Sequence, residues 1–114
     1  FLSEQTYLPM MYLDDAINAT LELMESPKEN ITIRTSYNLA GLSFSPEEIY
    51  QSIVKHFPNF EIAYQSDFRQ AIADSWPNSI DDSKASADWG WKPKFNLEAM
   101  TSAIIANLPK YFNF

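Results

Sequence analysis

Asp74, Ser75 and Trp76 are the residues whose types and order best suit chemistry on a small molecule. A carboxylate can face an ammonium group, a hydroxyl can donate or accept, and an indole can wall a pocket and keep water out. Pro77 follows the ring directly. Because proline disfavours helix at the residue before it, the three residues are expected in a loop, where ligand contacts concentrate. The competing reading makes Trp76 a core ring, since an indole brings a large apolar area that favours burial. The same stretch, residues 69–93, holds all three tryptophans. Its second half reads as a short helix capped by Asp81 or Asp82 and ended by Gly90 in the left-handed conformation. Trp89 and Trp91 flank that ending and are expected to be structural, holding the turn against the core.

Other chemistries find little support. The chain has one histidine and no cysteine, which removes disulfides, thiolate metal sites and cysteine nucleophiles and suits a reducing cytoplasm. No metal site is expected. His56 stands near a helix C-terminus, where the dipole favours a solvated imidazole, and no Gly-x-Ser-x-Gly turn exists to pair with it. Two glycines, Gly41 and Gly90, cannot build a phosphate-cradling loop. Fifteen acidic residues always allow some carboxylate pair to be imagined, so a glycosidase pair has no specific signal. A formal charge of −7 and a pI near 4.5, without a basic cluster, oppose nucleic-acid binding. No apolar run approaches the roughly 20 residues that span a bilayer, so a soluble chain without a membrane partner is expected.

The positioning elements follow from local signals. At 114 residues one domain with one core is expected, burying roughly two-thirds of its unfolded surface. Residues 5–13 look extended, with Pro9 at an edge or bulge. Asp14 or Asp15 would cap a helix whose Leu13, Ile17, Leu21 and Met24 recur at helical spacing, and Pro27 shuts it off. Residues 31–39 carry the β-branched and aromatic residues of a strand, ended by Ala40-Gly41. Ser45-Pro46-Glu47-Glu48 is a capping box opening a helix to about Phe57, with Ile49, Ile53, Val54 and Phe57 buried. Phe60 to Tyr64 alternates as a strand, and a short helix begins near Asp67. Asn96 caps a last helix bearing Leu97, Met100, Ile104 and Leu108, which Pro109 weakens. Phe112 and Phe114 would pack as a tail or meet a neighbour. The order β-α-β-α-β-α-α predicts a small α/β domain.

The ending Asp-x-Ser-Lys-Ala…Gly-Trp-x-Pro, here Asp81, Ser83, Lys84, Ala85, Gly90, Trp91 and Pro93, resembles the C-terminal part of extended short-chain dehydrogenase/reductases. Three further blocks carry the resemblance across nearly the whole chain: Leu-Pro-Met-Met-Tyr-Leu-Asp-Asp (8–15), Arg-Thr-Ser-Tyr-Asn-Leu-Ala (34–40) and Arg-Gln-Ala-Ile-Ala-Asp-Ser-Trp-Pro (69–77). The resemblance implies the small substrate lobe of an extended Rossmann-fold dehydrogenase, mixed in helices and short strands. Sugar-nucleotide members resemble Arg-Asp-Tyr-x-His-Val-Asp-Asp ahead of the first helix, and their arginine meets the substrate diphosphate. Leu8 stands in that register here, so a diphosphate would lose its charge-assisted partner. Their second phosphate arginine also lacks a counterpart: alanine stands at 71, and the nearest arginine is Arg69. A small amino-acid substrate, touched by Asp74, Ser75 and Trp76, fits better.

By the same resemblance, a preceding Rossmann domain would supply the NAD-binding glycine turn and a Tyr-x-x-x-Lys pair, neither of which occurs in this chain. The chain opens at Phe1 without a signal-peptide pattern, which suggests a piece of a longer polypeptide. Such a piece is expected to be inactive alone, with no catalytic and no cofactor-binding residue of its own, while the parent would be a homodimer joined through the other domain. Two alternatives stay open: a lobe of a sugar-nucleotide epimerase or dehydratase, and a stand-alone interaction domain.

Overall fold

A computed structural model describes residues 1–110. Phe112 and Phe114, the expected tail, lie outside the described residues. The capping signals at Ser45 and Asn96 produce the helices they promise. Ser45 Oγ accepts from the Glu48 amide at 3.3 Å while Glu48 Oε2 accepts from the Ser45 amide at 3.0 Å. This reciprocal box, with Pro46 at the first helical position, starts helix α2, Pro46–Val54. Asn96 Oδ1 accepts from the Ala99 amide at 2.9 Å and starts helix α5, Leu97–Asn107, which tightens into a 3-10 turn at Leu108–Lys110 where Pro109 enters.

Helices α2 and α5 pack together through a buried hydroxyl pair. Ser52 and Thr101 Oγ1 lie 2.8 Å apart, and Thr101 in turn donates to the Leu97 carbonyl, so both polar groups are satisfied inside the contact. Beside the pair runs an apolar groove of about 680 Å³, walled by Ile49, Ile53, Phe57, Phe60, Ile104 and Leu108. The stripes expected to be buried on these helices are therefore only partly covered.

Between these helices in the chain come α3, Arg69–Asp74, and α4, Ser83–Trp89. Gly90 ends α4 at φ 76°, as its position implied, and its amide bonds back to Ser86. Trp91, 2% exposed, then enters a small core with Ala19 and Ala85, against which Met11, Tyr37, Leu39 and Trp89 pack. Its Nε1 donates to the Ala40 carbonyl at 3.1 Å. Asp82 occupies the cap position of α4 without a side-chain capping bond. Asp81 instead accepts from the Ser83 amide at 2.9 Å, and Asp82 Oδ2 accepts from the Ala40 amide at 3.3 Å.

Helix α1, Leu13–Glu25, corrects two expectations. Its cap position is Tyr12, without a side-chain bond, so neither Asp14 nor Asp15 caps it. Asp15 is buried at 1% exposure and accepts from the Lys94 and Phe95 amides, both at 3.0 Å. The carboxylate thus ties the loop after Trp91 to α1, while Asp14 faces solvent. The second correction concerns the apolar stripe: Leu13, Ile17, Leu21 and Met24 are exposed, and the helix buries Ala19 instead.

Among the described residues strands are fewer than expected. Residues 5–13 contribute only β1, Leu8–Met10, which pairs antiparallel with β2, Leu42–Phe44, with Leu8 opposite Phe44 and Met10 opposite Leu42. A Cβ on Gly41 would lie 2.7 Å from the Met10 carbonyl oxygen, so the approach of these segments requires glycine there. Neither 31–39 nor 60–64 forms a ladder. Extended propensity becomes a strand only beside a partner. In the first run the Tyr37 hydroxyl accepts from the Thr32 and Ile33 amides at 3.0 and 3.2 Å, taking donors a ladder would use. In the second, the Phe60 amide bonds back to Phe57. The observed order is β-α-β-α-α-α-α.

Among the described residues the single well-filled core expected of this length does not form. Only Ala19, Ala73, Ala85, Trp91 and Met100 are buried hydrophobics among the described residues. The accessible surface is 8086 Å², against about 6,400 Å² for a compact protein of this mass. The radius of gyration is 16.9 Å, against roughly 13 Å. Much apolar surface is left for a neighbour to cover.

Candidate functional site

The stretch around α3 is positioned by a polar node. Gln70 Nε2 donates to Thr6 Oγ1 at 2.9 Å and to Asp74 Oδ1 at 2.7 Å, while its Oε1 accepts from the Ser3 amide at 2.7 Å. One amide side chain thereby joins the N-terminal segment to both ends of α3. The loop expected for Asp74, Ser75 and Trp76 is shortened: Asp74 closes the helix and Ser75 remains helical at its cap. Pro77 acts on Trp76, whose amide makes the last backward bond, to Ala73.

The three site residues do not converge. Asp74 is held by Gln70, and Ser75 Oγ donates to the Ile72 carbonyl at 2.6 Å. Trp76 alone reaches a crevice, of about 120 Å³, lined with Leu8, Arg69, Ile72 and Ala73. It is 56% exposed, so among the described residues it is no core ring.

Arg69 is a crevice residue the sequence reading passed over. Its Nε lies 3.0 and 3.1 Å from the two Asp67 oxygens and its Nη2 lies 2.5 Å from Oδ2, while the Phe1 ring stacks on the guanidinium, 3.2 Å from centroid to Cζ. Hydrogen bonding from Arg69 pulls the Asp67 carboxyl down to about 2. The signal was present in the order Asp67-Phe68-Arg69, whose alternate charges sit close enough at a helix start to pair.

A second polar cluster holds the unladdered run 31–39. Asp88, 8% exposed at its side chain, accepts from the Tyr37 hydroxyl at 2.7 Å and from the Thr32 hydroxyl, and lies 3.3 Å from Lys84 Nζ. These hydroxyl bonds, Thr32 first and Tyr37 second, hold the carboxyl at about 2. Because that value lies below the usual carboxylate pKa near 4, Asp88 favours folding above about pH 4. That contribution is lost as pH falls toward 2. The melting temperature should therefore drop between about pH 5 and 2, with a shallower drop in Asp88→Asn. Circular-dichroism melts with identical slopes for both proteins would contradict the cluster.

No family model matches the chain. L-threonine 3-dehydrogenase, mitochondrial, of Bos taurus is 50% identical over 105 residues, which are 91% of this chain and 28% of that protein. The GalE-like L-threonine dehydrogenase from Cupriavidus necator, in its apo form, superposes with a TM-score of 0.89 at 54% identity, covering 95% of this chain and 39% of that one. The chain is homologous to the C-terminal part of L-threonine 3-dehydrogenases. The threonine dehydrogenase of Phytophthora infestans superposes at 0.91 with 43% identity, over 98% of this chain and 36% of that one. An uncharacterized epimerase/dehydratase of Staphylococcus haemolyticus is 45% identical over 106 residues, 92% of this chain and 33% of that protein. The chain spans about a third of the length of the relatives it matches. The mixed α/β architecture of the described residues, five helices and a two-stranded sheet, matches that of the threonine dehydrogenase C-terminal part.

Proposed function

We propose that residues 1–114 form the substrate lobe of an NAD-dependent L-threonine 3-dehydrogenase, which oxidises the threonine hydroxyl to give 2-amino-3-oxobutanoate. The similarity to the Cupriavidus enzyme, 54% identical over 95% of the chain, carries this reading. Two physical features support a lobe that works beside a further domain: the uncovered α1 stripe and the unladdered run 31–39, both suited to burial against more protein.

NAD does not fit the residues in hand. Gly41 is packed against the backbone of Met10 and Met11, and Gly90 is spent on the end of α4. Neither starts a phosphate-binding helix. The cofactor and the proton-abstracting pair are therefore assigned to another domain of the parent polypeptide, and the isolated lobe is inactive.

The lobe's own contribution is assigned to Asp74, Ser75 and Trp76. Trp76 walls the pocket and excludes water, and Asp74 and Ser75 orient the amino acid once Gln70 and the Ile72 carbonyl release them. The epimerase reading, favoured by the staphylococcal relative, is weakened at one position: Leu8 stands apolar in the register where the resemblance gives sugar-nucleotide members a diphosphate-binding arginine. In the full-length enzyme Trp76→Ala should lower kcat/KM for threonine about tenfold or more, a loss above roughly 1.4 kcal/mol, while barely changing its melting temperature. Wild-type kcat/KM in that variant would remove Trp76 from the pocket.

A further inference from the structure

We propose that Arg69 is a specificity-determining residue whose guanidinium receives the carboxylate of the amino-acid substrate; this rests on the reading that the Trp76 crevice belongs to the substrate pocket. A guanidinium offers two edges to carboxylates, one through Nε and a terminal nitrogen and one through its two terminal nitrogens. Asp67 occupies the first edge through Nε and Nη2. Nη1 has no protein acceptor among the described residues, so the second edge remains available. Phe1 stacked on one face and Asp67 along one edge fix the plane of the group before any ligand arrives. That preorganisation is what a planar, bidentate carboxylate site requires.

Its place in the fold agrees. Arg69 opens α3, Trp76 follows the end of the same helix, and both line the crevice with Leu8, Ile72 and Ala73. Arg69 is the only cationic residue among those five. The chain carries a formal charge of −7, so a substrate carboxylate approaching this lobe needs a local cation to offset the repulsion. Arg69 is half exposed, at 42%, which keeps its outer edge within reach of a ligand.

The test compares L-threonine with L-threoninamide, which lacks the carboxylate charge, in the full-length enzyme. The wild type should prefer threonine by kcat/KM. In Arg69→Met, KM for threonine should rise about tenfold or more and most of that preference should vanish, while threoninamide turnover changes little. Arg69→Lys, which retains the charge without the fork, should be intermediate; it supplies the same readout should the methionine variant fail to fold. A folded Arg69 variant that keeps the wild-type preference overturns the inference. An effect of Trp76→Ala alongside that result would leave the pocket reading standing, whereas wild-type kinetics in both variants would sink the pocket reading as well.

Discussion

Trp91→Ala should lower the unfolding free energy by roughly 3–5 kcal/mol, the usual range for truncating a fully buried aromatic ring. The ring is 2% exposed and centres the small core of Ala19 and Ala85. Few other buried groups could close the cavity, because the buried hydrophobics are mostly alanines. Loss of the indole also leaves the Ala40 carbonyl without its donor. Trp91→Phe should recover much of the packing but not the hydrogen bond. Urea unfolding measures both, and an unchanged midpoint for the alanine variant would show that the ring holds nothing together.

Asp15→Ala is expected to have the next largest effect. The carboxylate is buried and bonds two consecutive amides, Lys94 and Phe95, at 3.0 Å each. Removing it strands both donors, at about 1–3 kcal/mol apiece, so roughly 2–6 kcal/mol in total is expected. Asp15→Asn keeps one acceptor oxygen and should fall between. Hydrogen exchange gives the residue-level check: the Lys94 and Phe95 amides should lose protection in the alanine variant far beyond the loss elsewhere. Equal loss at every amide would mean that the carboxylate does not anchor this loop.

What could be read from the chain divides by the range of the interaction. The Ser45 capping box, the Asn96 cap and the left-handed Gly90 were legible because each is complete within four or five residues. Trp91 was legible because a ring beside a helix-ending glycine has few places to go. Asp15 was misread because its partners lie some 80 positions away, and a carboxylate at a helix start looks the same whether it caps that helix or ties a distant loop. The α1 stripe and the runs 31–39 and 60–64 were misread for a common reason. Their patterns are those of buried faces and paired strands, yet the described residues supply no cover or ladder for them. At the site, the turn imposed by Pro77 was legible, whereas the capture of Asp74 by Gln70 and the crevice formed by Leu8 and Arg69 depend on tertiary contacts.

The central proposal is tested most directly by mixing the full-length polypeptide carrying this sequence with L-threonine and NAD and following NADH absorbance. Saturable NADH formation that needs L-threonine, with 2-amino-3-oxobutanoate or its decarboxylation product recovered, is the expected result. No NADH from threonine, together with epimerisation or dehydration of a sugar nucleotide by the same preparation, would contradict it.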